Sequence, residues 1–287
     1  MVSRERPQGA ILMLHDSAAC SAGERSIFSV QSVSVYPIHE ESQVFFCSHA
    51  VLQQTFNFEK TTMLYSAVIF DLDGTLLDTL DDLAETGNQV LEEQGYPVHP
   101  PDAYKFFVGE GMQTLVERIT PDSATDSEKQ ACFNRFKTLY SRYWNRRTRP
   151  YEGVMQLLAL LEKKGFQLGI LSNKPHDFTL MCVDYFFPEG TFGQVFGQRS
   201  EIPRKPDPAG ALEIAGRFGS TPDECIYIGD TSIDMQTGKS AGMYTIGILW
   251  GFRGAAELQE NGADRIAKTP QELAEVINSL SSGNEHA

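Results

Sequence analysis

The 287-residue sequence has few cysteines, no excess of positive charge and no long apolar run. Its five cysteines are scattered and never form a CxxC pair, a pattern that excludes a disulfide framework and a zinc site and is typical of free thiols in a reducing cytoplasm. The net charge of −14 argues against nucleic acid, which binds basic surfaces. No stretch approaches the roughly 18 apolar residues of a membrane span. We therefore expect a cytoplasmic protein that binds neither nucleic acid nor membrane.

The two glycine-rich signatures of nucleotide-binding loops, GxxxxGK[ST] and GxGxxG, are also absent from the sequence. The composition, with 41% hydrophobic and 22% charged residues, is that of a globular protein that can bury an ordinary core. The acidic balance still permits an anionic small molecule as ligand, because a local cationic group or a metal ion can override the overall field.

Residues 1–62 differ in character from the rest of the chain. They hold three of the six histidines, His15, His39 and His49, and show neither a sustained helical period nor the alternation of a strand. Their apolar piece AILML is too short for the core of a signal peptide. Met63 stands just before the first clear strand. We expect residues 1–62 to be a disordered or non-native extension and Met63 to be the natural start.

From Met63 onward, short apolar runs alternate with helical segments, which predicts an α/β fold with a doubly wound parallel sheet. The predicted strands are Ala67–Phe70, Gln167–Leu171, Val195–Gly197, Cys225–Ile228 and Tyr244–Leu249. The helices predicted around them are Val154–Lys164, Ala209–Phe218, Thr231–Ala241 and Thr269–Leu280.

One long segment interrupts this alternation. Between Leu80 and Arg149 the sequence reads as helix throughout, in LDDLAETGNQVLEEQG, GMQTLVERI and SEKQACFNRFKTLYSRYWNRR. We interpret residues 80–149 as a helical cap domain inserted after the first strand. Residues 63–79 and 150–282 then form the α/β core beneath it.

Two acids follow the first predicted strand in SAVIFDLDGTLLDT. Residues i and i+2 of a strand face the same side, so Asp71 and Asp73 can point together beyond its carboxyl end, where open α/β sheets bind ligands. Gly74 allows the chain to turn sharply there. A DxD pair taken alone is more often an ordinary pair of surface acids.

Further polar residues lie at the same edge of the predicted sheet. Ser172 and Asn173 occur in LSNKP at the end of the second strand, Lys205 occurs in RKPDP, and Asp230 and Asp234 occur in YIGDTSID after the fourth strand. Each residue also has an ordinary structural explanation as a helix cap or a solvated charge. Their joint placement in this order favours one functional site.

In that order, the clusters resemble the four motifs of the haloacid dehalogenase superfamily, in its aspartate-nucleophile phosphatase branch. DLDGT is similar to the first motif, LSNK to the second, KP to the third and GDTSID to the fourth. The resemblance covers residues 63–287, including the position of the helical cap. FVGEGMQTLVERI and LSNKP further resemble the phosphoglycolate phosphatase-like subgroup.

This resemblance implies a Mg²⁺-dependent phosphomonoester hydrolase. Asp71 would attack phosphorus to form an aspartyl-phosphate, and Asp73 would protonate the departing alcohol and then activate water. Asp71, Asp230 and the backbone carbonyl of Asp73 would hold Mg²⁺, a hard cation that prefers oxygen ligands. The cation would offset the repulsion between nucleophile and phosphate, about 4 kcal/mol for two unit charges 4 Å apart at an effective dielectric of about 20.

The remaining site residues receive supporting roles from the same resemblance. Ser172 and Asn173 would bind the phosphoryl oxygens, and Lys205 would add positive charge against the transferring group. Thr75 would orient the first loop and contact the substrate. Asp234 would act behind the metal ligands by holding the loop, Lys205 or a metal-bound water.

Several alternatives stay open at this point. Family members that break carbon–halogen or carbon–phosphorus bonds lack an acid equivalent to Asp73, whereas sugar-phosphate mutases keep it and carry a histidine where this sequence has Leu83. A mutase is the second choice, a pyrophosphatase or nucleotidase is possible, and a non-catalytic binding protein is remote because no motif residue is lost. We expect a small phosphorylated metabolite as partner, with 2-phosphoglycolate favoured by the subgroup resemblance. The oligomeric state cannot be read from the sequence.

Overall fold

The computed structural model of the protein describes residues 64–281. The predictions about residues 1–62 and about Met63 lie outside the described residues. Among residues 64–281, no helix combines the length and the apolar character needed to cross a membrane. The three cysteines of this part of the chain, Cys132, Cys182 and Cys225, are buried free thiols.

Six parallel strands form the central sheet, in the order β5-β4-β1-β6-β7-β8. They are β1 Ala67–Phe70, β4 Gln167–Pro175, β5 Gln194–Gln198, β6 Cys225–Gly229, β7 Tyr244–Ile248 and β8 Arg265–Ala267. All four residues of β1 are buried, as expected for a strand with helices on both faces of its sheet. The predicted doubly wound sheet is therefore confirmed.

The order of the strands fixes where a ligand can bind. Strand β1 pairs with β4 on one side and with β6 on the other, and the chain winds outward in opposite directions from this point. Such a reversal opens a crevice at the carboxyl ends of the two strands. Asp71 follows β1 and Asp230 follows β6, so both acids lie at this crevice.

The sheet differs from the prediction at two strands. Strand β8 was not predicted, because its three residues include a single buried one and carry little periodic signal. Strand β4 continues to Pro175 instead of ending at Leu171, with an irregular register between these two residues. Ser172 and Asn173 therefore lie within the irregular end of β4.

The helices fall into two groups along the chain. Those within residues 80–149 are α1 Leu80–Glu93, α2 Tyr104–Phe107, α3 Met112–Ile119 and α4 Asp126–Tyr143. Those of the core are α5 Val154–Lys163, α6 His176–Phe186, α7 Ala209–Phe218, α8 Ser232–Ala241, α9 Ala255–Glu260 and α10 Pro270–Ser281. Helix α8 starts with a capping box in which Thr231 and Asp234 bond each other's backbone.

Helices α1 to α4 form the inserted cap, and its apolar side chains join the same hydrophobic cluster as those of the core. Two short strands that were not predicted, β2 Leu77–Asp78 and β3 Arg149–Pro150, pair antiparallel where the chain enters and leaves the cap. This pair holds the two connections side by side. The residue boundaries given above for core and cap remain predictions.

Asp82, inside the protein, links the two segments through which the chain enters and leaves the cap. It lies in the first turn of α1, is almost fully buried, and accepts hydrogen bonds from the backbone N–H groups of Arg147 and Thr148 at 2.9–3.0 Å. The Thr148 hydroxyl donates a further bond at 2.8 Å. The carboxylate thus satisfies several buried donors at the base of the cap.

We expect Asp82→Ala to lower the free energy of unfolding by about 2–4 kcal/mol, because buried N–H groups would lose their acceptor. Asp81→Ala is the matched control, since the Asp81 side chain is 49% exposed and pairs with Arg147 at 3.6 Å; its cost should stay within about 0.5 kcal/mol. Urea unfolding of both variants measures the difference. Equal losses in the two variants would contradict the role given to Asp82.

Candidate active site

Six charged side chains meet at the carboxyl ends of β1, β4 and β6 or in the loop before α7. They are Asp71, Asp73, Lys174, Lys205, Asp230 and Asp234. Five of the six are buried, and Asp73 is the most accessible, with its side chain 12% exposed. The parallel sheet brings these residues together because all of its strands end at the same edge.

Lys205 lies between two of the carboxylates. Its ammonium nitrogen is 2.8 Å from Oδ1 of Asp71 and 2.7 Å from Oδ1 of Asp234. These carboxylates raise the pKa of Lys205 well above its usual value, although burial opposes the charge. The amide of Asn173 fixes the backbone at Lys205, accepting from its N–H at 2.9 Å and donating to its carbonyl at 3.2 Å.

Asp230 is held from two sides at the mouth of β6. The Thr75 hydroxyl donates to Oδ1 of Asp230 at 2.9 Å, and the backbone N–H of Phe252 donates to Oδ2 at 2.8 Å. Gly74 passes so close that a Cβ atom there would lie 2.4 Å from Oδ2 of Asp230, and its φ of +89° also favours glycine. Trp250 supports the same turn by donating its indole N–H to the carbonyl of Thr75 at 2.9 Å.

Asp71, Asp230 and Asp234 form a group of oxygen ligands that fits a divalent cation. One carboxylate oxygen from each lies within 4.8 Å of the others, and all three residues are buried. Three carboxylates with one ammonium group leave two negative charges in excess. Burial, together with the neighbouring acids, raises the pKa of Asp71 to about 7 against the opposing effect of Lys205. A hard cation such as Mg²⁺ would balance this charge.

Asp234 has less freedom than the other two acids of the group. Its Oδ1 contacts Lys205, while its Oδ2 accepts from the backbone N–H and the hydroxyl of Thr231 at 3.1 and 2.7 Å. The carboxylate oxygens of Asp71 and Asp230 accept fewer hydrogen bonds, so more of their lone pairs are available to a metal ion. The geometry therefore favours Asp71 and Asp230 as direct ligands and Asp234 as the holder of Lys205.

Asp73 lies apart from this group and pairs with a second lysine. Both carboxylate oxygens of Asp73 are 3.0 Å from Nζ of Lys174, which also donates to the Tyr140 hydroxyl at 2.8 Å. Sequence reasoning assigned no role to Lys174, although strand alternation places it on the same side as Ser172. Tyr140 lies within the long helix α4, and no feature of the sequence around it indicates a place in the site.

A small cavity of about 40 Å³ lies between the core and the cap. Asp71, Asp73 and residues 172–175 line it from the core. The apolar side chains that line it from the cap are Leu83, Val108, Met112 and Leu115. A ligand bound here would contact polar groups on one side and an apolar roof on the other.

The cap segment of residues 105–111, which comprises the end of α2 and the loop that follows it, is bonded to the core through its carbonyl groups. Asn173 donates to the carbonyl of Gly109 at 3.0 Å, and Arg204 donates to that of Glu110 at 3.1 Å. Arg253 donates to the carbonyls of Lys105 and Val108, the latter at 3.4 Å. These bonds hold the loop over the cavity.

The structure brings together the site residues predicted from the sequence, in different positions around the cavity. Asp71, Asp73, Ser172 and Asn173 line it directly, and Lys205 lies behind Asp71. Thr75 is 1% exposed and does not line the cavity. Its bond to Asp230 favours the orienting role predicted for Thr75 and gives no support to a contact with substrate.

Comparison with known proteins places this arrangement in a family. A phosphoglycolate phosphatase of Aquifex aeolicus is 29% identical over 210 residues, covering 73% of this chain and 95% of the relative. One from Psychrobacter arcticus is 31% identical over 200 residues, covering 67% and 87%. The crystal structure of a proposed phosphoglycolate phosphatase from Lactobacillus delbrueckii superposes with a TM-score of 0.71 at 34% identity, covering 74% of this chain and 98% of that one.

The match to the family covers most of the residues that the structure describes. Residues 68–248, which include all six charged residues of the central cluster, match the haloacid dehalogenase-like hydrolase family. The resemblance inferred from the four motifs is confirmed by this match and by the relatives. The chain belongs to the haloacid dehalogenase-like hydrolase family.

Proposed function

We propose that this protein is a Mg²⁺-dependent phosphomonoesterase that acts through an aspartyl-phosphate on a small phosphorylated metabolite in the cytoplasm, with 2-phosphoglycolate as the favoured substrate. The observation that carries the proposal is the convergence of Asp71, Lys205 and Asp230 in one buried cluster beside a cavity. The names of the similar proteins from Aquifex aeolicus and Psychrobacter arcticus support the choice of substrate.

In the first half of the reaction, a carboxylate oxygen of Asp71 attacks phosphorus and the bond from phosphorus to the ester oxygen breaks. Asp73 gives its proton to that departing oxygen, so the alcohol leaves neutral. Ser172 and the backbone N–H of Asn173 orient the phosphoryl group, while Lys205 keeps Asp71 in place. Mg²⁺ held by Asp71, Asp230 and the carbonyl of Asp73 supplies positive charge against the phosphoryl oxygens when it is bound.

In the second half, Asp73 has become a carboxylate and acts as a base. It takes a proton from a water molecule, whose oxygen attacks phosphorus, and the bond between phosphorus and Asp71 breaks. Inorganic phosphate leaves, Asp71 is regenerated and Asp73 is protonated again. During the first step, the cap loop over the cavity limits the access of water to the phosphoryl group.

The cavity also bears on the alternative functions. Leu83, which stands where the mutases carry a histidine, lines the cavity with an apolar side chain. A sugar ring would leave several hydroxyl groups unpaired against that roof, at a cost of about 1–3 kcal/mol for each buried polar group.

Hydrolysis of p-nitrophenyl phosphate tests the proposed reaction. We expect release of nitrophenol in Mg²⁺ and its loss in EDTA. Asp71→Asn should lower kcat at least about 10³-fold because the nucleophile is removed. Asp184→Asn, an exposed change on α6, is the control and should keep wild-type activity. Turnover that resists EDTA, or an active Asp71→Asn enzyme, would contradict the proposal.

Thermal unfolding tests the metal site separately. Because the pKa of Asp71 is raised to about 7, the metal-free folded state holds more protons than the unfolded state between about pH 4 and 7, and its stability falls as pH rises through that window. Mg²⁺ competes with these protons, so it should raise Tm more at pH 7.5 than at pH 5.5. At 100 times its Kd the gain is about 2.7 kcal/mol, or roughly 5–10 °C.

Asp230→Asn provides the control for this measurement, since it removes one proposed ligand and keeps the shape of the side chain. Its Tm should respond little to Mg²⁺ at either pH. An equal Mg²⁺ response in wild type and variant would show that the ion binds elsewhere.

A further inference from the structure

Lys174 is the only cationic side chain among the described residues that line the cavity. Its side chain is 3% exposed, and its Nζ lies 3.0 Å from both oxygens of Asp73 and 2.8 Å from the Tyr140 hydroxyl. No step of the mechanism above uses it. Because its ammonium group lies at the wall of the cavity, it can bind an anionic group of a ligand there.

The two lysines of the site contact different acids. Lys205 contacts Asp71, the proposed nucleophile, whereas Lys174 contacts Asp73, the proposed proton donor to the leaving oxygen. In the proposed mechanism Lys174 would therefore lie beside the leaving group. The remaining surface around that group is formed by apolar cap side chains, including Met112 and Leu115. A short leaving group with one anionic substituent matches these surroundings.

Tyr140 keeps the ammonium group in position. It lies on cap helix α4, accepts a hydrogen bond from Lys174, and presents its ring 4.8 Å from Nζ. Burial raises the pKa of the Tyr140 hydroxyl above its usual value, so the group stays neutral and acts as an acceptor for the lysine. Since Tyr140 belongs to the cap and Lys174 to the core, this bond exists only when the two are packed together.

We propose that Lys174 is a specificity-determining residue that binds a carboxylate on the leaving group, with Tyr140 as its positioning residue. The substrate class is then the phosphate monoesters of short hydroxy acids. This inference rests on the proposed function and deepens it. As the bond from phosphorus to the ester oxygen breaks, the proton of Asp73 passes to that oxygen, and the hydroxy acid departs with its carboxylate intact.

The experiment compares kcat/KM for 2-phosphoglycolate with kcat/KM for ethyl phosphate, which has the same chain length and no carboxylate. The wild-type enzyme should prefer 2-phosphoglycolate at least about 10-fold, since Lys174 would bind its carboxylate and ethyl phosphate offers no such group. Lys174→Met keeps the length of the side chain without its charge and should reduce that ratio at least about 10-fold. Tyr140→Phe should reduce it less.

Tyr143→Phe is the matched control, because Tyr143 lies on the same helix, stacks on Arg146 and does not line the cavity. Its ratio should equal that of wild type. If Lys174→Met lowers turnover of both substrates by the same factor, Lys174 only positions Asp73 and the inference is wrong.

The wild-type ratio is a test that needs no variant, so the inference stays open to refutation if Lys174→Met fails to fold. Equal kcat/KM values for the two substrates would overturn carboxylate recognition and leave the phosphatase proposal standing. If the wild-type enzyme in Mg²⁺ hydrolyses neither substrate nor p-nitrophenyl phosphate, the proposed function itself fails, and the inference fails with it.

Discussion

The close approach of three buried carboxylates, with Lys205 as their shared ammonium partner, is the constraint on which the site depends. Such a cluster is unfavourable by itself, because burial and mutual repulsion oppose the ionised form of Asp71 and Asp230. The surrounding structure holds it in place through hydrogen bonds from Thr75 and Phe252 to Asp230. A divalent cation would neutralise the excess negative charge that remains. Such neutralisation would allow a strongly acidic chain to bind an anionic substrate.

The cap covers the edge of the sheet at which these charged residues lie. It adds apolar side chains and Tyr140, which reaches Lys174 across the boundary between cap and core. The antiparallel pair of β2 and β3 and the bonds to Asp82 fix the two connections where the chain passes between them. The core therefore supplies the charged residues beside the cavity, while the apolar side chains that line it come largely from the cap.

The sequence predicted the core well because its signals are local. A buried apolar run followed by DxD gives the first strand and both acids, and similar runs give the position of Asp230 and the regular part of β4 up to Leu171. Strands β2, β3 and β8 have two or three residues each, too few for a periodic pattern. The pairing of Lys174 with Asp73 and Tyr140 joins three distant segments, which one sequence cannot reveal.

Crystallographic location of a bound metal tests the central claim most directly. Mn²⁺ accepts the same hard oxygen ligands as Mg²⁺ and can be located by its anomalous scattering. The account predicts one strong anomalous peak within about 2.0–2.3 Å of carboxylate oxygens of both Asp71 and Asp230, with Lys205 still paired to Asp234. A peak elsewhere, or no peak at a concentration of Mn²⁺ that supports turnover, would contradict it.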